Sequence, residues 1–311
     1  MRLAALPLIL LLVSPALSAE ADVVKLNYAW ESGMKGSVSY RFSRTRTHQQ
    51  EPVTDTITGS YIFTTSEHPD GLQIDLSDMQ TKVESSNDIK KDKIQQLLEK
   101  LAQIHPSYII SKEGELLGVI GLEQIRDELN QEMKSWFAGE KPEVHQKMEQ
   151  ILQAFLSKEQ LMTQLNDDWN REVGQWIGAE FEKGNYYEIE FESTVPALGN
   201  ITVPTRGKYE YLGRTACNEQ DKKERCVKLY YVSGFDPEAA QNIVIALFRQ
   251  MNTPVPENFS IVMDYALEVI TEPSTLRPHS IRERKIFATG FGERPDATRQ
   301  EEIKVIDYTY L

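Results

Sequence analysis

Ser32 and Lys35 stand three positions apart in a Ser-Gly-Met-Lys run. At that spacing a lysine can activate a nucleophilic serine, provided that the serine opens a helix. Here the neighbouring residues read as a turn between two strands, and the companion serine and lysine motifs are absent, so the match is read as chance. The chain carries no Gly-x-Ser-x-Gly elbow, His-Glu-x-x-His pair, Gly-x-Gly-x-x-Gly turn or phosphate loop. His48, His68, His105, His145 and His279 are isolated in polar or turn settings and read as surface residues. His68 and Asp70 could share a metal ion, but a Pro-Asp-Gly turn supplies too few further ligands. No metal and no cofactor is expected.

Glu188, Glu190 and Glu192 alternate along one strand, which sets their side chains on one face about 7 Å apart. Paired carboxylates can serve as general acid and base. A solvated strand face explains the same row, with Arg41, Arg44 and Arg46 offsetting its charge if the two strand-rich regions adjoin. The aromatic residues offer different chemistry. Trp30, Tyr40, Phe42, Tyr61 and Phe63, with Tyr187, Phe191, Tyr209 and Tyr211, fall on one sheet face by alternation. That face is either packed core beneath helices or an apolar groove for a lipid, a lipoprotein tail or an amphipathic helix.

Cys217 and Cys226 are the two cysteines, nine positions apart across the polar loop Asn218 to Arg225. In an oxidising compartment they should form a disulfide. On the chain-entropy argument, closing a loop of that size stabilises by about 2–3 kcal/mol.

The elements that would hold these groups follow from periodicity. Val38, Tyr40 and Phe42, then Tyr61 and Phe63, then Leu72, Ile74 and Leu76 after the turn Pro69-Asp70-Gly71, alternate as in an antiparallel meander. Between Asp88 and Leu165 the apolar spacing becomes helical, through Ile94, Leu97, Leu98 and Leu101, then Leu122, Ile125 and Leu129, then Val144, Met148, Ile151 and Phe155. A small hairpin interrupts it, from Tyr108 to Val119 with its turn at Glu113-Gly114. Ser157 with Gln160 makes a capping box for a last helix. Strands return from Gly184, and Asp236-Pro237-Glu238 starts a further helix. Three long strands close the chain around Ile261–Thr271, Ile281–Gly290 and Ile303–Tyr310.

The expectation is an α+β protein of two antiparallel β-meander units, with a helical insertion between them and a further helix in the second unit. Internal duplication is one reading of the likeness between Gly59, Tyr61, Phe63 and Gly207, Tyr209, Tyr211; shared strand physics is the other. The division expected is 1–19 signal peptide, 20–86 first β unit, 87–180 helical region with its hairpin, and 181–311 second β unit.

Arg2, the apolar run Leu3 to Val13 and the small residues before Ala19 have the three parts of a secretory signal peptide, with cleavage expected after Ala19. Eleven apolar residues are far short of the roughly 20 that span a bilayer, and no cysteine at the cleavage point could carry a lipid. The mature chain is expected to be soluble, periplasmic or secreted, with no integral membrane segment. A formal charge of −13 excludes nucleic acid and anionic membrane surfaces as partners, since both need a basic footprint.

This layout of signal peptide, aromatic-rich meander and intervening helices resembles a class of uncharacterised secreted bacterial proteins. It is also similar in general order to periplasmic lipoprotein carriers, whose curved sheet half-encloses an apolar cavity. The long helical stretch from Asp88 to Leu165 departs from those carriers, and no functional residue is carried over. The function expected is non-enzymatic binding of an apolar ligand, a lipoprotein or a protein partner, with an envelope scaffold module and a carboxylate-dependent hydrolase as alternatives.

Overall fold

The computed structural model describes residues 22–48, 51–85, 88–136, 156–195, 201–250, 254, 259–291 and 294–311. The expected signal peptide with its cleavage site at Ala19, His145 and the helical segment Val144 to Phe155 lie outside these residues. The strands are β1 (Val23–Lys25), β2 (Lys35–His48), β3 (Glu51–His68), β4 (Gly71–Ser85), β5 (Ser107–Ser111), β6 (Leu116–Ile120), β7 (Glu180–Glu182), β8 (Tyr186–Val195), β9 (Ile201–Thr215), β10 (Cys226–Phe235), β11 (Ser260–Thr271), β12 (Pro278–Phe291) and β13 (Arg294–Tyr310). The helices are α1 (Asp88–Leu101), α2 (Leu122–Trp136), α3 (Lys158–Glu172) and α4 (Pro237–Gln250).

Local signals act where the residues call for them. Ser157 caps α3, its hydroxyl accepting from the Gln160 amide at 3.1 Å. Asp236 caps α4 by accepting from the Ala239 amide at 3.0 Å, and Pro237 fills the first turn, where no amide is needed. Gly33 takes the left-handed conformation at the turn into β2, with φ of 86°. Ser32 is an exposed turn residue and Lys35 the exposed first residue of β2, so the Ser-Gly-Met-Lys run bends the chain into a strand and does not open a helix.

Eleven strands form one sheet in the order β6-β5-β4-β3-β2-β13-β12-β11-β10-β9-β8, while β1 and β7 make a separate pair. Neighbouring strands of the large sheet run antiparallel throughout. This corrects the expected α+β class of two meander units. Strands take 56 % of the described residues and helices 23 %. β2 and β13 pair from Gly36↔Tyr310 to His48↔Thr298, which fuses the two strand-rich regions. Periodicity could not show this, because it reads neighbours in sequence, and β2 and β13 are joined across nearly the whole chain.

The register gathers aromatic residues of neighbouring strands on one face. Tyr40 lies opposite Ile306, Val38 opposite Tyr308 and Tyr61, Tyr209 opposite Tyr187 and Tyr231. Two covers bury that face. The segment Leu26–Trp30, the 3-10 turn Gly174–Trp176 and α3 pack over β2–β4 and β9–β13, burying Leu26, Val173 and Trp176. At the other end, α4 sets Ala240 and Val244 against Val203, Phe235 and Ile261.

The sheet handles its free edges unequally. β4 pairs β5 only from Gly71 to Asp75, and beyond that its edge meets α1. There the Gln95 amide imitates a strand: Val83 N–H donates to its Oε1 at 2.9 Å, and its Nε2 donates to the Thr81 carbonyl at 2.9 Å.

Candidate functional site: an aromatic cavity beneath one helix

Helix α3 crosses the aromatic face without sealing it. Met162, Leu165 and Trp169 turn toward the core, yet no residue of the helix is fully buried. Beneath it lies a cavity of about 690 Å³, floored by Tyr40, Tyr61, Phe63 and Leu76 and walled by Trp30 and Trp169. Trp30 meets Trp169 edge-on at 5.6 Å and tilts over Phe63 at 6.3 Å. A volume of this size is in the range of small-molecule sites.

The C-terminal end of the helix is fastened by polar contacts on two sides. Trp169 Nε1 donates to the Gly114 carbonyl at 2.7 Å, tying the helix to the β5–β6 turn. At the C-terminus, Lys304 Nζ donates to Glu172 at 3.1 Å, and the Tyr308 hydroxyl donates to the other oxygen of that carboxylate at 3.0 Å. Arg171 pairs with Asp168 on its own helix and faces Glu283 of β12 at 3.7 Å. Burial alone would lower the Lys304 pKa, but Glu172, Asp168 and Glu283 outweigh it and leave the ammonium raised. Burial raises the Glu283 carboxyl above its ordinary range and pushes the Tyr108 phenol in the same wall up to about 12.

Further along the same face the lining becomes charged, with Arg44 donating to Glu302 at 2.7 Å. The cavity therefore has an aromatic end and an ionic end. Among the described residues, the buried donors Trp30 Nε1 and Arg171 Nε make no hydrogen bond, the latter facing Glu283 at 3.7 Å, and both side chains line the cavity. An apolar molecule bearing acceptor oxygens would satisfy both. Sequence reasoning missed this ionic group. Asp168, Arg171 and Glu172 share one helix face by their spacing of three and four, but nothing local says that this face meets Glu283 and Lys304.

The nine aromatic residues singled out from sequence serve three purposes. Trp30, Tyr40, Phe42, Tyr61 and Phe63 line the cavity. Tyr209 and Tyr211 are packed core, with Trp176 edge-on to Tyr209 at 5.5 Å. Tyr187 and Phe191 stand exposed at the β8 edge.

Glu188, Glu190 and Glu192 occupy the opposite, open face, exposed throughout. Glu188 and Glu190 border a hollow of about 530 Å³ with Arg206, Lys208 and Arg284. Glu190 lies 3.5 Å from Arg206 with its side chain 81 % exposed. An acid and base pair needs one carboxylate in a buried or apolar setting, and all three of this row are exposed. The arginines of β2 do not offset this row, because five strands separate β2 from β8. Arg44 pairs with Glu302 and Arg46 with Asp55 instead.

Cys217 and Cys226 form the expected disulfide, with Cα atoms 5.0 Å apart. His279 is a correction: it is buried, its Nε2 lying 3.3 Å from Glu272 and its ring 5.1 Å from Tyr310. It also lies against the two sulfurs. A disulfide has no thiolate to give a metal, so this trio is a packing arrangement. His105 is exposed and His68 half-buried, the latter's ring accepting from the Asp70 amide at 3.3 Å.

No protein-family model matches the chain, and no curated protein matches it. Among solved structures, Pseudomonas aeruginosa OccK5 (OpdH) aligns over 91 % of this chain and 99 % of its own, at 8 % identity and a TM-score of 0.23. Salmonella typhi OmpF in complex with daunomycin aligns over 89 % and 98 %, at 5 % identity and a TM-score of 0.23. Scores of this size carry no argument about the fold or its use. Among the described residues, no helix is long and apolar enough to cross a membrane.

Proposed function

We propose that this chain is an exported, non-enzymatic carrier or receptor that holds an apolar molecule between helix α3 and the aromatic face of the sheet. The observation that supports it is the cavity of about 690 Å³ under a helix with no fully buried residue. A helix that merely sealed a core would bury its apolar stripe. The ligand class favoured is a lipid or lipoprotein acyl chain with ester or amide oxygens, its chain on Trp30, Tyr61 and Phe63 and its oxygens toward Trp30 Nε1 and Arg171. The compartment is the periplasm or the exterior, in keeping with the signal sequence before Ala19 and the Cys217–Cys226 disulfide.

A neutral apolar dye, N-phenyl-1-naphthylamine, tests the binding. One dye per chain should bind with a rise in emission, and Leu165→Trp, which fills the cavity from its roof, should weaken it at unchanged melting temperature. Absence of binding, or binding indifferent to the added bulk, refutes the proposal. N-terminal sequencing of the protein from its own host tests the export half, and a mature chain that still begins at Met1 refutes that half alone.

A further inference from the structure

The sheet has two outer strands, and they differ in kind. β6 has five residues, and the free length of β4 behind it is occupied by the Gln95 amide. β8 has ten residues, pairs only with β9 among the described residues, and keeps its register without a bulge from Tyr186↔Glu210 to Val195↔Ile201. Natural sheets blunt such edges with bulges, prolines, inward charges or a covering element. None of these devices lies along the described residues of β8. Its inward residues Tyr187, Ile189 and Phe191 are instead apolar and exposed, at 42 %, 37 % and 38 %. Its outward residues are Glu188, Glu190 and Glu192, balanced on the β9 side only by Lys208 and Arg206.

We infer that β8 is a docking edge for an extended polypeptide segment of a partner, which adds as a further antiparallel strand and alternates apolar residues with lysine or arginine. Backbone bonding to an open edge supplies affinity, and alternate side chains supply selectivity. The apolar set of such a segment continues the aromatic face beside Tyr187, Ile189 and Phe191. Its basic set stands opposite the glutamate row, which then has cations on both flanks. The same row argues against a second copy of this chain. In the registers that centre one β8 on the other and join the aromatic faces of two copies, the glutamates of one lie opposite those of the other, and like charges directly opposite destabilise a strand pair.

The test uses the full-length mature protein and short acetylated peptides of three kinds: alternating valine and lysine, alternating valine and glutamate, and valine and lysine in two blocks. The alternating lysine peptide should bind, with affinity falling as salt rises, and should slow exchange of the outward amides of Tyr186–Val195, which exchange fast without it. The other two should not. The triple variant Glu188→Lys, Glu190→Lys, Glu192→Lys changes only exposed side chains; it should bind the lysine peptide roughly tenfold to a hundredfold more weakly and gain the glutamate peptide. Equal binding of all three peptides, no binding, an unaltered preference in the triple variant, slow exchange of the edge amides in the peptide-free chain, or self-association of the unaltered protein through β8 would each overturn the inference. Dye binding in the cavity is measured in parallel and is expected to be unchanged, so this result stands apart from the ligand proposal.

Discussion

The Lys304 ammonium donates to the Glu172 carboxylate at 3.1 Å, across 132 positions of sequence. This contact joins the last strand of the sheet to the end of the helix that roofs the cavity. Its setting makes it consequential, because Asp168 and Glu283 crowd the same ammonium and Tyr308 shares its carboxylate.

Removing that cation should therefore cost more than a surface ion pair. Lys304→Met leaves three carboxylates partly buried without their shared partner, and the expected loss is about 2–4 kcal/mol. The sign of its pH dependence follows from the shifts. Burial already holds Glu283 above its ordinary range and Lys304 opposes that rise, so without Lys304 the Glu283 carboxyl goes higher, and its penalty is present when it is ionised and relieved as pH falls through the raised value. Urea unfolding should show a larger loss at about pH 8 than at about pH 5. A loss that is equal at both would show that the cluster is not coupled.

Two glycines of the sheet, Gly59 of β3 and Gly207 of β9, should respond differently to alanine. A Cβ on Gly59 would collide with the Tyr40 hydroxyl and the Gln80 carbonyl, whereas one on Gly207 would meet Tyr231 and Ile189 at 2.9 and 3.0 Å. Backbone cannot yield as a side-chain tip can, so Gly59→Ala should lose about 1–3 kcal/mol and Gly207→Ala distinctly less. Melting temperatures of the two variants compare them directly.

Gln95→Ala should uncover the edge of β4. Two bonds to Val83 and Thr81 disappear, at a cost of about 1–2 kcal/mol. The released edge should also favour self-association, which sedimentation at increasing concentration would detect. Unchanged stability would mean that water serves that edge as well as the amide does.

The disulfide closes the longest-looped hairpin of the second strand region and is buried beside Val227 and His279. Replacing both cysteines with serine should lower stability by about 2–5 kcal/mol, and the same loss should appear on adding reductant to the unaltered chain at the unfolding midpoint. Agreement between the two would assign the loss to the cross-link and not to the substituted hydroxyls.

What local sequence determined is now visible residue by residue. The caps Ser157 and Asp236, the turn at Pro69-Asp70-Gly71, the hairpin around Gly114 and the cysteine pair each act within a few positions, so their physics is contained in the residues themselves. Alternation likewise placed Tyr40, Tyr61 and Tyr209 on a common face, because a strand's side chains have a period of two wherever the strand ends up. The partner of each strand is a different matter. Periodicity is the same for a strand in a small meander and for one in an eleven-stranded sheet, so it could not reveal that β2 pairs with β13 and that two units are one. Nor could it separate the exposed Tyr187 and Phe191 from the packed Tyr209, since exposure depends on whether a neighbour or an edge comes next. The roof over Trp30 and Phe63 and the ion group at Lys304 exist only once α3, β12 and β13 meet. Tertiary structure decided the site because charge and burial there are set by residues more than a hundred positions apart.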